Sequence, residues 1–402
     1  MKNIARTITT LVFSISFINS AVSLEQTPTL ESIGPQDYEY CAANATNNSQ
    51  AAVGMCTAEE GNAVQVAWIR FRNNTKIATL PPLLPNKSCT ALRISERNEI
   101  YGTCISSTGQ QTPVVWDGRE PSLAPIALKP AGQDKSVTVT AVGATSLVGR
   151  SFTELEQKGT SRVVVWRFGS DVAEPVSSSP DNCVPTSMME ARTGYNWITL
   201  NCPVSTGNSI AKVATKAPNN LTYVITALQT PDNSSHCTLN NTNESGRTLG
   251  TCHYPNKALR TAYWQTLSSA PTTLNTVPQN ASTILNDSGT ALIIYQDAQD
   301  FYDGLWNIHQ NKVTTIASLP KTAIFNTAGL ADNGIVLLNT RTPQNENQGA
   351  YWSTSKETVG IGFFKGGKTS YLLGINHDGN YAVGSARGSD GKQYAIGFSL
   401  PE

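Results

Sequence analysis

The chain has 402 residues, 29 Lys and Arg, 29 Asp and Glu, and a formal net charge of zero. No segment concentrates positive charge, which argues against binding to nucleic acid or to an anionic membrane surface. The sequence contains no GxSxG, P-loop or dinucleotide-binding motif, so the common hydrolase and nucleotide-binding classes lack support and we expect no cofactor.

Residues 1–23 have the features of a secretory signal peptide. Lys2 and Arg6 precede an apolar stretch from Leu11 to Ala21, and Ala21–Ser23 fits the small-x-small cleavage pattern. The apolar stretch is too short and too polar for a spanning helix, which needs about 20 apolar residues. We therefore predict a mature domain of residues 24–402 in the periplasm or outside the cell, with no membrane insertion.

One short strand-like segment recurs eight times in the mature chain. Its members are Ala51–Cys56, Glu99–Cys104, Ser146–Ser151, Trp197–Cys202, Arg247–Cys252, Thr290–Tyr295, Gly334–Asn339 and Asn380–Ser385. A second segment follows each member and carries one large apolar residue, usually a tryptophan. Successive residues of this kind are 42 to 51 positions apart, and they are Trp68, Trp116, Trp166, Val213, Trp264, Trp306, Trp352 and Phe398. A strand and a turn precede the first segment, and a further apolar run follows the second. Each repeat of about 47 residues therefore holds four short strands, which is typical of a propeller blade.

The repeat predicts an all-β fold, a single β-propeller of about eight four-stranded blades, with seven as the alternative count. The eighth repeat has only three strands before the sequence stops, so Thr27–Ile33 near the N-terminus is expected to complete it. This pairing would close the ring and remove free sheet edges. An open stack of blades is the alternative. We expect a monomer.

Eight cysteines accompany the repeats in pairs. Each pair has its second member at the end of a recurring segment and its first in the strand before, which gives Cys41 with Cys56, Cys89 with Cys104, Cys183 with Cys202, and Cys237 with Cys252. Residues directly opposed across an antiparallel hairpin are close enough for a disulfide. We therefore predict four structural disulfides.

A metal site is the rival reading of the cysteines. No CxxC or CxxH spacing occurs, and disulfides are expected in an exported protein. The four histidines, in no ligand spacing either, are His236, His253, His309 and His377. We predict no metal site.

Trp197 is the one tryptophan outside the recurrent position. The six recurrent tryptophans are expected to pack between neighbouring sheets. Trp197 instead adjoins a hairpin, Pro185–Asn196, that contains Met188 and Met189. Exposed Met and Trp side chains suit an adaptable protein contact. The alternative is that this hairpin covers the neighbouring blade.

An acidic and aromatic loop interrupts the sixth repeat. Asp297, Asp300 and Asp303 lie beside Phe301 and Tyr302. Three carboxylates on a short loop suit a cation or a basic partner, although their spacing is not that of a calcium loop. The alternative is a solvated acidic loop.

The C-terminal repeat resembles a known family. Ile375–Gly384 and Gly391–Phe398, and likewise Ile94–Gly102 and Pro113–Trp116, resemble the HAF-type extracellular repeat of bacterial exported proteins. The resemblance implies a hairpin and a blade strand and no particular enzyme activity.

These features predict a non-catalytic binding protein that holds another protein through the loops of one propeller face. A periplasmic immunity or inhibitor protein is one concrete form. The alternative is a glycan- or lactone-processing propeller enzyme whose site is built from loop carboxylates.

Overall fold

The computed structural model describes residues 27–59, 64–72, 76–177, 181–204, 208–277, 279–297, 300–353 and 356–401. In these ranges the chain forms strands and two single-turn 3-10 helices, Leu155–Gln157 and Phe364–Gly366, and no α-helix. Neither helix is long and apolar enough to cross a bilayer. The all-β prediction is therefore confirmed. The predicted signal peptide lies outside the described residues.

The strands form eight consecutive units of four. Units 1 and 2 contain β2 (Tyr40–Thr46), β3 (Ala52–Thr57), β4 (Val66–Arg70), β5 (Ile77–Thr79), β6 (Cys89–Ile94), β7 (Glu99–Ile105), β8 (Gln111–Asp117) and β9 (Ile126–Ala127). Units 3 and 4 contain β10 (Ser136–Val142), β11 (Ser146–Phe152), β12 (Ser161–Arg167), β13 (Glu174–Pro175), β14 (Val184–Glu190), β15 (Asn196–Pro203), β16 (Ser209–Lys216) and β17 (Val224–Ala227). Units 5 and 6 contain β18 (His236–Thr242), β19 (Thr248–His253), β20 (Leu259–Trp264), β21 (Thr272–Thr273), β22 (Asn280–Leu285), β23 (Thr290–Asp297), β24 (Asp300–Asn307) and β25 (Lys312–Thr315). Units 7 and 8 contain β26 (Ala323–Leu330), β27 (Val336–Arg341), β28 (Asn347–Ser353), β29 (Lys356–Gly360), β30 (Thr369–Ile375), β31 (Tyr381–Arg387), β32 (Gln393–Ser399) and the N-terminal β1 (Glu31–Ser32).

Both ends of the described chain meet in one sheet. The strands form seven sheets, six of four strands and one of eight. The large sheet consists of units 1 and 8, joined by a single parallel pair, Tyr40 and Gln393. Strand β1 runs antiparallel to β32, with Glu31 opposite Gly397 and Ser32 opposite Ile396. The N-terminal strand therefore completes the last unit, as predicted, and the architecture is that of a β-propeller.

A bulge in the first strand and a glycine in the second shape each unit. All eight first strands contain a β-bulge. Opposite it, a Cβ on Gly102 would lie 2.1 Å from the carbonyl oxygen of Thr90 and 2.7 Å from the ring of Trp116. Only glycine leaves room for both approaches. The glycines in this position are Gly54, Gly102, Gly149, Gly250 and Gly384.

The recurrent tryptophans fill the spaces between units. Five of them are at most 1% exposed and Trp352 is 5% exposed. The indole N–H of Trp116 donates to the carbonyl oxygen of Pro81 at 2.8 Å, and Trp166 donates to Lys129 at 2.9 Å. Each acceptor lies in the segment that leaves the preceding unit. The tryptophans therefore belong to the scaffold, as the sequence predicts.

The four cysteine pairs are bonded within the first hairpins. The disulfides are Cys41–Cys56, Cys89–Cys104, Cys183–Cys202 and Cys237–Cys252, with Cα–Cα distances of 4.0 to 4.1 Å. These are the pairs that the repeat assigns. Four disulfides fit an oxidising compartment outside the cytoplasm.

Candidate functional site

The propeller has two faces that carry different turns. In each unit the first turn joins the first and second strands, and the second turn joins the second and third. Because neighbouring strands are antiparallel, the two sets of turns lie at opposite ends of the strands. Strand β23 separates them by eight residues, or about 25 Å. We call the two sides the first-turn face and the second-turn face.

A cavity of about 980 Å³ opens on the first-turn face. Its lining comes from the first strands and first turns of all eight units, from Asn44 in unit 1 to Asp378 in unit 8. The cavity is therefore the mouth of the central channel of the propeller. Such a site, to which many units contribute, is a frequent place for ligands and partners.

Asparagine and glycine shape the turns at this mouth. In unit 5 the side-chain oxygen of Asn243 accepts hydrogen bonds from the backbone N–H groups of Ser245 and Arg247, both at 3.1 Å. Gly246 has a φ of +73°, which a residue with a side chain rarely adopts. The Asn243 amide also donates to the carbonyl oxygen of Asn286 in unit 6 at 3.2 Å. One asparagine thus fixes its own turn and binds the next.

The second residue of each first turn occupies an equivalent place around the mouth. These eight residues, which we call the turn ring, are Asn48, Glu96, Ala144, Arg192, Glu244, Asp287, Asp332 and His377. All of them except Asp287 line the cavity. The turn ring therefore decides much of the charge that a partner meets.

Hydrogen bonds between neighbouring turns hold the turn ring in units 5 to 8. The N–H of Glu244 donates to Oδ1 of Asp287 at 2.7 Å, and the N–H of Asp287 donates to Oδ1 of Asp332 at 3.0 Å. The N–H of Asp332 donates to the carbonyl oxygen of His377 at 3.0 Å. Each turn is thus tied to its neighbour, and one oxygen of each aspartate is fixed by the backbone.

The same pattern continues across the junction of the two chain ends. The N–H of Asp378 donates to Oδ1 of Asn48 at 3.1 Å, and the N–H of Asn48 donates to Oε2 of Glu96 at 2.9 Å. The mouth is therefore braced at the junction of units 8 and 1 in the same way as elsewhere.

Asp287, Asp332 and His377 form a compact ionisable cluster. Their possible ligand atoms lie within 4.8 Å of one another, and Nδ1 of His377 is 3.9 Å from Oδ2 of Asp332. The imidazole is surrounded by carboxylates but still open to water through the wide cavity, since 61% of its side-chain surface is exposed.

The members of this cluster shift one another's pKa values. The nearby carboxylate of Asp332 raises the pKa of His377 above its usual value, and the charges of Glu96 and Asp287 act in the same direction. Burial pushes the pKa of Asp332 upward, but His377 and the backbone of Asp287 together hold it below its usual value. Burial raises the pKa of Asp287, and the charge of Asp332 adds to this rise.

Sequence reasoning missed this cluster. Its members are about 45 residues apart in the chain, and His377 stands in no ligand spacing. Each, however, is the second residue of a first turn in consecutive repeats. Aligning the repeats by their turns would have shown the three as neighbours, and this signal was present in the sequence.

The charges at the mouth are unevenly distributed. Units 2 and 4 contribute three arginines and two carboxylates, namely Arg93, Arg97, Arg192, Glu96 and Glu190, whereas units 5 to 8 contribute a set of four carboxylates. These carboxylates are Glu244, Asp287, Asp332 and Asp378. Arg192 lies at the boundary, with its Nε 3.8 Å from Oε2 of Glu244. The mouth therefore has an arginine-containing half and an acidic half.

The acidic loop predicted as a site lies on the other face. Asp297 and Asp300 pair across the second turn of unit 6, and Phe301 is 73% exposed. Tyr302 stacks on Tyr295 with ring centroids 5.5 Å apart. Burial raises the pKa of Asp303 to about 6. The loop is therefore partly apolar and exposed, and its role in binding stays a prediction.

Trp197 lies on the first-turn face, at the start of β15. Its half-buried ring stacks on Tyr195 at 5.7 Å and covers Gly246 of the next unit, where an added Cβ would lie 2.8 Å from the indole. The hairpin is an antiparallel strand pair with a bulge between Pro185 and Ser187. Met188 is only 5% exposed, contrary to the expectation, whereas Met189 is half-buried and lines the cavity. Met188 turns inward because it joins the core between units 3 and 4, whereas Val184 at the start of β14 is exposed. This arrangement fits a hairpin that covers its neighbour.

The predicted site residues therefore do not form one site. Trp197 follows a first turn, whereas Asp297 and Asp300 flank a second turn. The structure instead brings together turn residues of consecutive units that the sequence did not single out.

Comparison with known proteins supports the fold. No family model and no curated protein matches the sequence. The β-propeller domain of the Trilobed protease from Pyrococcus furiosus is similar in structure, with a TM-score of 0.51 and 10% identity over 81% of this chain and 98% of that chain. The Dos1 propeller has a TM-score of 0.54 and 11% identity over 92% and 95% of the two chains.

Peptidases that contain a propeller are also similar. Prolyl oligopeptidase B from Galerina marginata has a TM-score of 0.57 and 10% identity over 90% of this chain but only 55% of that enzyme. This chain therefore spans little more than half of the peptidase. Such identities show a shared β-propeller fold and nothing about activity. The resemblance to HAF-type repeats stays a prediction.

Proposed function

We propose that this protein is a non-catalytic binding protein that acts outside the cytoplasm and holds another protein on its first-turn face. The observation that carries the proposal is the cavity of about 980 Å³ with its charged rim, to which all eight units contribute. A concave, braced surface of this kind can receive a protruding segment of a partner without rearranging.

The bracing supports binding because a pre-organised surface loses little entropy when it captures a ligand. Hydrogen bonds between turns fix the rim, and disulfides constrain the first hairpins of units 1, 2, 4 and 5. A periplasmic immunity or inhibitor protein that neutralises a delivered toxin is one concrete form of this function.

Affinity capture from the native envelope tests the proposal. We expect the immobilised wild-type protein to recover a stoichiometric protein partner identified by mass spectrometry. The double variant Arg97→Ala, Arg192→Ala, altered only at the mouth, should recover about 10-fold less partner. The double variant Asp297→Ala, Asp300→Ala on the second-turn face is the matched control and should recover as much as wild type.

Two results would contradict the proposal. One is the absence of any specific protein at low and at moderate salt. The other is loss of the partner in the control variant with full recovery by the mouth variant, which would move the binding surface to the second-turn face.

An enzyme remains the second candidate because of Asp303. A half-buried carboxyl with a pKa of about 6 is suited to proton transfer near neutral pH. A screen of glycosidase and lactonase substrates tests this candidate. Turnover by wild type that disappears in Asp303→Asn and in Asp300→Asn supports it, and the absence of turnover or its retention in both variants removes it.

A further inference from the structure

We propose that the partner inserts a segment whose Lys or Arg side chain binds in the acidic half of the cavity. This inference rests on the proposed function and specifies the chemistry of the partner. Three features of units 5 to 8 carry it: the charge of the rim, the carboxylate oxygens that the fold leaves open, and the apolar wall below them.

The rim of units 5 to 8 has an excess of negative charge. Glu244, Asp287, Asp332 and Asp378 lie in these units together with His377, while Arg192 of unit 4 is 3.8 Å from Glu244 and Arg247 of unit 5 lies against the first turn of unit 6. An incoming carboxylate would meet like charge, whereas an ammonium or guanidinium group would offset it. The acidic half therefore selects a basic side chain.

The hydrogen-bonding pattern leaves acceptors for such a group. Oδ1 of Asp287 and Oδ1 of Asp332 each accept a backbone N–H from the preceding unit. Within the described residues, no hydrogen bond reaches Oδ2 of Asp332, which lines the cavity, or Oδ2 of Asp287, which lies beside it, and Nδ1 of His377 is 3.9 Å from Oδ2 of Asp332. Two fixed carboxylates, each with an oxygen available, suit the several N–H donors of Lys or Arg.

The wall next to the acidic rim is apolar. Ile284, Leu330 and Ile375 are half-buried residues at or near the ends of β22, β26 and β30, and all three line the cavity. Lys and Arg side chains combine a hydrocarbon stem with a charged tip. The stem can pack on this wall while the tip reaches the carboxylates. A bare metal ion would use the carboxylates and leave both the wall and most of the cavity without a role.

Selection from a displayed library of random 12-residue peptides tests the inference. The targets are the wild-type protein, Asp287→Asn with Asp332→Asn, and Asp297→Asn with Asp300→Asn as control. Asparagine keeps an oxygen that accepts the backbone hydrogen bonds, so the first variant removes charge and retains the turns. Thermal unfolding of all three proteins confirms that they fold alike.

We expect peptides selected on wild type to be enriched in Lys and Arg relative to the starting library. A synthetic peptide of that set should bind Asp287→Asn, Asp332→Asn about 10-fold more weakly than wild type and should bind the control within about 2-fold. Selection of neutral or acidic peptides, equal binding to all three proteins, or no selection at all overturns the inference.

The two proposals fail in different ways. A captured protein partner whose affinity is unchanged by Asp287→Asn, Asp332→Asn leaves the proposed function intact and removes the basic side chain from it. Failure to capture a partner together with a clear preference for basic peptides points instead to a binding site whose ligand is not a protein of that envelope.

Discussion

Five second strands carry a glycine opposite the bulge of the first strand. At Gly102 an added methyl group would overlap both the Thr90 carbonyl oxygen and the Trp116 ring. Gly54 and Gly250 face Trp68 and Trp264 in the same way, so in three units the glycine lets the recurrent tryptophan approach the second strand. Units 4, 6 and 7 have Leu200, Ile293 and Leu338 opposite the bulge in place of a glycine.

Substituting Gly102 tests this explanation. Gly102→Ala should lower the free energy of unfolding by about 2–4 kcal/mol because the first strand and Trp116 must move apart. Gly109 is the control, since its φ is +82° but nothing lies within 4 Å of an added Cβ. Gly109→Ala should cost only about 1 kcal/mol from backbone strain. Urea unfolding gives both values, and equal effects would contradict the account.

Asp303 gives a prediction about pH. Its pKa is about 6 in the folded protein because of burial, against an ordinary value of 3.8. The folded state thus binds the proton more tightly than the unfolded chain, so this group favours folding below about pH 4 and opposes it as the pH rises through 6.

Asp303→Asn removes that ionisation. The variant should unfold with nearly the same free energy as wild type at pH 4 and be more stable by about 1–2 kcal/mol at pH 8. Denaturant unfolding at the two pH values measures the difference. A variant that is less stable than wild type at pH 8, or whose free energy of unfolding differs from wild type by the same amount at both pH values, would show that ionisation of Asp303 does not oppose folding.

At the scale of elements, the first hairpin is the reinforced part of the unit. Four of the eight hairpins carry a disulfide, but unit 6 places Asn280 and Tyr295 at the corresponding pair and still forms four strands. The bridges therefore add stability to a fold that strand pairing and packing already specify.

Removing one bridge tests that statement. Cys89→Ala with Cys104→Ala opens a loop with a sequence separation of 15. The variant should keep its β circular dichroism and lose about 3 kcal/mol in the free energy of unfolding, because the unfolded chain gains freedom. A variant that fails to fold, or one that unfolds like wild type, would contradict the prediction.

Strand β1 is the element that completes unit 8. Its pairing with β32 is followed by Ile33, which is fully buried and donates its N–H to the carbonyl oxygen of Ala395 at 2.9 Å. A mature chain that begins at Gln36 lacks both, whereas one that begins at Leu30 retains them.

The longer chain should unfold like wild type, and the shorter one should melt at a clearly lower temperature. Hydrogen exchange in β32 should become at least about 10-fold faster in the shorter chain, because its outer edge loses its partner. Unchanged exchange in β32 would mean that β1 contributes little to the last unit.

At the scale of the whole molecule, the fold followed from the sequence more fully than the site did. Regular spacing of tryptophans, turns and cysteines predicted the four strands of each unit and the disulfides, because these features repeat locally, and the missing fourth strand of the last repeat predicted the return of the N-terminal strand. The cluster of Asp287, Asp332 and His377 was not found, since it depends on how separate repeats sit side by side.

Interpreting residues one at a time also did not show on which face of the propeller each predicted site residue lies. Trp197 and the acidic loop stood out because they depart from the repeat, yet they lie near opposite ends of the strands. Departure from a repeat marks an individual residue, whereas a shared surface depends on equivalent positions in successive units. The turn ring, which follows the repeat, is the better guide to the mouth of the cavity.

The central claim is that a protein partner binds at the first-turn face. Photo-crosslinking in the native envelope tests it most directly, with p-benzoylphenylalanine placed at Arg93, which is exposed at the mouth, or at Phe301, which is 73% exposed on the opposite face. We predict a discrete protein adduct from position 93 and none from position 301. An adduct from position 301 alone, or from neither position, would contradict the account.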